Sequence, residues 1–285
     1  MPRLAVAQTV CQIGDVSANL EQAESLVARA GRERADLVCF PELFTTGFIP
    51  ERFHELAEPI PGPSSERLGK MARQAGLFLV AGLLEKDPAT GHLHNACVVI
   101  ARDGSLLARY RKVFLYLGER DLLVPGHEPC LCDVGFCRMG LAICYDYVFP
   151  EYIHSLVDRG AQLLVHPTAW LTSETCRQWR YPPMAYRAMG MTRALENTVF
   201  FMSANLSGRY DASGSLEAIG QSAVIAPWGE ILAEVEADSG LAVAEVDFAQ
   251  SPKWREAAAP YLADRRVFSW RAATSSGAAG GGGRP

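Results

Sequence analysis

Short apolar runs, each stopped by a proline, a glycine or a charged residue, alternate along this chain with segments whose apolar residues fall at helical spacing. Residues 4–9 read as a first strand. Residues 19–34 place Leu20, Ala23, Leu26, Val27 and Ala30 on one face, the pattern of an amphipathic helix. Residues 35–40 form a buried strand ended by Pro41, which has no N–H to give a ladder. A turn-rich loop leads to a helix over 64–75, with Ser64 or Ser65 as cap. Residues 77–84 form a strand, and 95–101 and 105–110 a hairpin around Arg102-Asp103-Gly104. After an irregular stretch come a strand pair (130–137 and 138–143), a helix (151–159), a strand (161–165), a stretch over 179–197 that is mainly helix after Pro182-Pro183, and a strand (199–204). A hairpin of 222–226 with 230–234 follows.

The pattern repeats. Ala-Asp-Leu-Val-Cys-Phe-Pro at 35–41 matches Ala-Gln-Leu-Leu-Val-His-Pro at 161–167, an offset of 126. Residues 96–101 match 221–226 at an offset of 125. Two matches at nearly one offset imply an α/β domain of two similar halves, each a sheet with helices outside, packed sheet to sheet. In this register Glu42 corresponds to Thr168. The domain is expected to cover residues 1–272, with an aromatic C-terminal arm over 247–272 (Trp254, Tyr261, Phe268, Trp270). The Gly/Ala-rich tail over 273–285 is too poor in apolar residues to order itself.

Composition narrows the function. The chain has 285 residues, 49% hydrophobic and 21% charged, which suffices for a full core. A net charge of −5 with no basic block argues against nucleic acid, and no apolar run approaches a membrane span. The N-terminus enters a strand directly, so a cytoplasmic location is expected, with the eight cysteines as free thiols. Cys130, Cys132 and Cys137 fit no zinc spacing, and neither a metal nor another cofactor is expected.

Three polar residues lie just past strands: Glu42, Lys112 and Cys144. A thiol must lose its proton to attack. A carboxylate can take that proton, and a lysine can favour the thiolate and then an oxyanion. A cysteine protease would pair Cys with His. None of His54, His92, His94, His127, His154 and His166 has a local motif around it.

These segments resemble the nitrilase, or carbon–nitrogen hydrolase, superfamily from Leu4 to about Trp270. Phe40-Pro41-Glu42-Leu43 is similar to its glutamate motif, Tyr110-Arg111-Lys112-Val113 to its lysine motif, and residues 140–146 with Phe149-Pro150-Glu151 to its cysteine motif. Arg193-Ala194-Leu195-Glu196-Asn197 matches a further segment. The resemblance implies a four-layer α-β-β-α sandwich with Glu42 as general base, Lys112 as oxyanion stabiliser and Cys144 as nucleophile. It also implies the Tyr145 backbone N–H as second oxyanion donor, Glu119 as a glutamate that positions substrate, and a homodimer or higher homo-oligomer. Tyr145-Asp146 after the cysteine is similar to amidase branches, whereas true nitrilases usually carry Trp-Glu. A small amide is the expected substrate, cleaved to an acid and ammonia. A nitrile and an N-carbamoyl amino acid remain alternatives, the latter held by one of Arg177, Arg180 and Arg187. A catalytically silent binding module is the alternative of another class. Phe48, Tyr116, Phe149, Trp170 and His166 are expected to line the pocket.

Overall fold

The computed structural model describes residues 1–267 except Ala212 and Ala237. The expected tail, together with Phe268 and Trp270 of the expected arm, lies outside the described residues. The first half runs β1 (Arg3–Val10), α1 (Val16–Arg32), β2 (Leu37–Cys39), α2 (Phe53–Leu56), α3 (Pro63–Ala75), β3 (Phe78–Lys86), β4 (Leu93–Ile100) and β5 (Leu106–Arg111). The second runs β6 (Leu131–Asp133), β7 (Arg138–Leu141), α4 (Pro150–Asp158), β8 (Leu163–Thr168), β9 (Leu171–Thr172), α5 (Glu174–Gln178), α6 (Met184–Asn197), β10 (Phe200–Arg209), β11 (Glu217–Ile219), β12 (Ala223–Ile225) and β13 (Ile231–Glu234). β14 (Gly240–Glu245), α7 (Gln250–Ala257) and α8 (Tyr261–Val267) follow.

The result is a mixed α/β fold with one large mixed sheet network. In the first half β1, β2 and β3 pair in parallel, and β4 and β5 add on antiparallel. In the second, β7, β8 and β10 pair in parallel, and β12 and β13 add on antiparallel. The halves join where Thr9 and Val10 at the end of β1 pair with Leu206 and Ser207 of β10. β14 crosses back to lie antiparallel along β1, with Arg3 opposite Glu245.

Strand alternation sorts the side chains. Leu4, Val6, Leu37 and Cys39 share a core with Leu141, Val165 and Met202 of the second half. Their neighbours Ala5, Ala7, Val38 and Phe40 turn the other way, onto Leu20, Ala23 and Val27 of α1 and Leu68 and Met71 of α3. Burying a side chain such as Leu37 contributes roughly 1.5–3 kcal/mol. In α7, Trp254 meets Trp228 of the same chain edge-on at 6.3 Å, and Arg255 donates to the Thr198 carbonyl at 3.0 Å. Among the described residues no helix is long and apolar enough to cross a membrane.

Candidate active site

The pairing pattern makes β2, β5 and β7 run in one direction, so their carboxyl ends share a rim. Glu42, Lys112 and Cys144 come from those ends. Pro41 closes β2, and the next residue, Glu42, turns into the interior, 2% exposed. Gly82 of β3 makes room for it: a Cβ there would stand 2.5 Å from the Glu42 Cα. Glu42 Oε1 accepts from Lys112 Nζ at 2.6 Å and Oε2 from the Ala169 N–H at 2.8 Å. Lys112, equally buried, also donates to Glu119 Oε2 at 2.7 Å. Glu119 stands in a short 3₁₀ turn, Leu117–Asp121, and its Oε2 accepts the Tyr116 N–H as well.

Cys144 opens a second 3₁₀ turn, Cys144–Val148, in the left-handed region at φ 44°, a costly conformation for a residue with a side chain. Three groups hold it there. The fully buried Asp146 accepts from the Ile143 N–H (2.8 Å), the Phe114 N–H (2.8 Å) and the Tyr110 hydroxyl (2.7 Å). His166 Nε2 lies 3.0 Å from the Cys144 carbonyl, which makes it the donor. Arg193 donates to the Tyr147 and Val148 carbonyls at the far end of the turn.

Burial governs the charges. It pushes the Cys144 thiol well above its ordinary range, and the Glu42 carboxylate adds to this while Lys112 opposes it. The resting group is therefore a thiol, and attack needs a base. Burial alone would lower Lys112, but Glu119 and Glu42 hold it well above its usual value, as a cation. Burial raises Asp146 to about 6 against the pull of its donors. It drives His166 down to about 3, so that ring is neutral.

Cys144 lies where two cavities meet. One, about 330 Å³, is walled by Tyr116, Tyr145, Val148, Trp170, Leu171 and Met189. The other, about 170 Å³, holds Glu42, Lys112 and Glu119 beside Phe48 and Tyr210. Both chambers are mainly apolar, and the smaller one carries the charged cluster beside the sulfur.

A family model described as carbon–nitrogen hydrolase matches residues 3–256. The chain belongs to the carbon–nitrogen hydrolase family. This hydrolase is 33% identical over 264 residues to the Homo sapiens omega-amidase NIT2, covering 89% of this chain and 91% of that one. It is similar in structure to Saccharomyces cerevisiae Nit3, a member of branch 10 of the nitrilase superfamily, with a TM-score of 0.83 at 27% identity and coverage of 94% and 97%. An alanine mutant of the amidase from Nesterenkonia sp. AN1, in complex with butyramide, gives a TM-score of 0.76 at 30% identity, with coverage of 93% and 94%.

Of the residues expected in the pocket of this hydrolase, Phe48, Tyr116 and Trp170 line the cavities. Phe149 does not; it stacks on Phe114 at 3.8 Å, behind Tyr145. Nor does His166, which is fully buried behind Cys144 and spent on the Cys144 carbonyl and on Ser203 Oγ at 2.8 Å. Each stands just before a proline, Pro150 or Pro167, but the sequence does not say which side of the rim it faces. Arg177 pairs with Glu174, and Arg187 with Glu234. None of Arg177, Arg180 and Arg187 is among the described lining residues. Sequence reasoning missed Asn95, whose amide nitrogen lies 2.6 Å from both Glu42 Oε1 and Glu119 Oε1. It also missed the clamp made by Asp146.

Proposed function

We propose that the protein hydrolyses a small monoamide to a carboxylic acid and ammonia through a thioester on Cys144. The observation that carries this reading is the Lys112 ammonium held between two buried carboxylates, beside a cysteine that faces an apolar chamber. As Sγ attacks the carbonyl carbon, Glu42 takes the thiol proton. The oxygen becomes an anion and is received by Lys112 and the backbone N–H of Tyr145. An ammonium has three N–H donors, and Glu42 and Glu119 take two, which leaves one for the oxyanion. Glu42 passes its proton to the amide nitrogen, the C–N bond breaks and ammonia leaves. Glu42 then takes a proton from water, whose oxygen attacks the thioester. The C–S bond breaks, the sulfur regains a proton and the acid departs. Glu119 orients the carboxamide.

The wider chamber takes the acyl group. Its walls favour an uncharged chain of a few carbons, which argues against an N-carbamoyl amino acid, since none of the three candidate arginines faces it. The identity to an omega-amidase favours a second reading, an amide at the omega position of an acid. Ammonia release from straight-chain amides, omega-amides of dicarboxylic acids, N-carbamoyl amino acids and nitriles decides among these. Turnover is expected to rise with chain length up to about four carbons. An added terminal carboxylate is expected to lower kcat/KM about tenfold, near the cost of misplacing one group in a fitted pocket. Cys144→Ala is expected to lose on the order of 10⁴-fold or more. Exclusive nitrile turnover would overturn the amide reading.

We also read the scaffold as the four-layer α-β-β-α sandwich of one domain, supported by the core shared between the halves. Assembly as a homodimer belongs to the same reading, supported by Leu195 and Tyr261, which stay exposed on α6 and α8. Light scattering on the eluting protein tests it, and an active monomer would remove it.

A further inference from the structure

Asn95 lies near the start of β4, 1% exposed. β4 runs against β3 and β5, so its beginning reaches the rim where β2 and β5 end. The Asn95 amide nitrogen donates to Glu42 Oε1 and to Glu119 Oε1, each at 2.6 Å. Those are the two carboxylates that grip Lys112 Nζ. The Asn95 backbone carbonyl accepts the Lys112 N–H at 2.8 Å. One residue therefore touches all three members of the charged cluster. Its amide oxygen is also buried and accepts from no group among the described residues.

An unpaired buried carbonyl is costly, and a residue kept for packing alone would do better as leucine. What asparagine offers is two N–H donors on one nitrogen, with no charge. Two carboxylates around one ammonium repel each other and leave the lysine free to follow either. A neutral double donor across them fixes their spacing without cancelling the charge that the base needs. Aspartate has no such donors when ionised, and a lysine or arginine would neutralise the cluster.

We propose that Asn95 is a positioning residue, which ties Glu42 and Glu119 together across Lys112 so that Glu42 is held toward the Cys144 thiol. The role rests on the amide-hydrolysis reading, but one of its readouts needs no substrate.

Asn95→Leu and Asn95→Asp are to be compared with the wild type by thermal melting, by kcat and KM across pH, and by the rate at which iodoacetamide alkylates Cys144, followed by peptide mass mapping. The titratable groups facing the two glutamates are Lys112, Cys144 and Tyr210, with Asp146 and His166 acting on Lys112. In Asn95→Leu, kcat is expected to fall about 100-fold, with KM within about threefold, the size of a misplaced general base. Cys144 alkylation is expected to slow about tenfold or more. Asn95→Asp keeps the side-chain size. Its new carboxyl donates only while protonated, so activity should fall as pH rises, along a limb the wild type lacks. A structural role would lower melting temperature and activity together without moving the pH profile. Alkylation and kcat within twofold of wild type in Asn95→Leu, or an unmoved pH profile in Asn95→Asp, would overturn the proposal. A wild type that hydrolyses no amide while Asn95→Leu still slows alkylation would sink the amidase reading alone and leave the role of Asn95 standing.

Discussion

The two halves share a strand plan, yet equivalent positions do different work. β1-β2-β3-β4-β5 and β7-β8-β10-β12-β13 show the same succession of parallel and antiparallel pairings. The matched strand ends meet: the Glu42 N–H donates to the Thr168 carbonyl at 3.4 Å, and the Ala169 N–H returns a bond to Glu42 Oε2. The first half supplies the carboxylate; the second supplies the backbone that aims it. Two positions earlier, Phe40 packs into the helix-side core against Phe44, whereas its counterpart His166 supports the Cys144 turn. The passages from strand to helix differ too. After β1, Asp15 caps α1 through the Ala18 N–H at 3.0 Å, while after β7 the buried Asp146 holds the Cys144 turn. A repeated scaffold thus gives paired positions, and chemistry arises where a pair has diverged.

The sharpest way to break this contrast is Glu42→Gln, which keeps the shape and removes the carboxylate proposed as base. It is expected to cost about 10³-fold or more in kcat, measured at unchanged melting temperature. Retention of a tenth of wild-type activity would mean that the first-half strand end is not special. Next, Asp146→Asn should lower kcat roughly 10–100-fold and stability by about 1–3 kcal/mol in urea melts, because an amide cannot accept at both ends. His166→Phe places the first-half residue in the second half, and its signature is pH dependence. Burial holds His166 at about 3 against an ordinary 6.5, so the folded chain binds fewer protons than the unfolded one. Its contribution to stability is present above pH 6.5 and lost as pH falls toward 3, at up to about 1.4 kcal/mol per pH unit. The variant should lose that slope; an unchanged slope would assign it to other groups. The smallest effect belongs to Asp15→Ala, about 1 kcal/mol for a lost helix cap, with turnover unaltered.

Much of this is legible in the residues themselves. The two offset matches locate β2 with β8 and β4 with β12, and the proline stops mark where strands yield to polar residues. Glu42, Lys112 and Cys144 stand out because each is a polar residue just past a strand, Glu42 after a proline stop. Asn95 does not, since it comes just before an apolar run at the beginning of a strand, and only antiparallel pairing brings it to the rim. The helix expected after Pro182-Pro183 does begin at Met184, since the two prolines hold the chain out of the helix until then. β14 has no counterpart in the repeat, and its partner β1 lies more than two hundred residues away in the chain, beyond the reach of any local pattern.

That last pairing bears on how the protein is made. The edge of β1 from Arg3 to Gln8 is covered only when Gly240 to Glu245 lie down beside it. At ribosomal rates of roughly 5–20 residues per second, that partner emerges roughly 10–50 s after β1 itself. Through that interval the nascent chain carries an apolar strand with one ladder unpaired, the kind of edge that joins to a neighbouring polypeptide. The first half, complete in its own hydrogen-bonded order, is thus exposed to the cell until the last strand arrives, an interval that proteolysis of stalled nascent chains would measure.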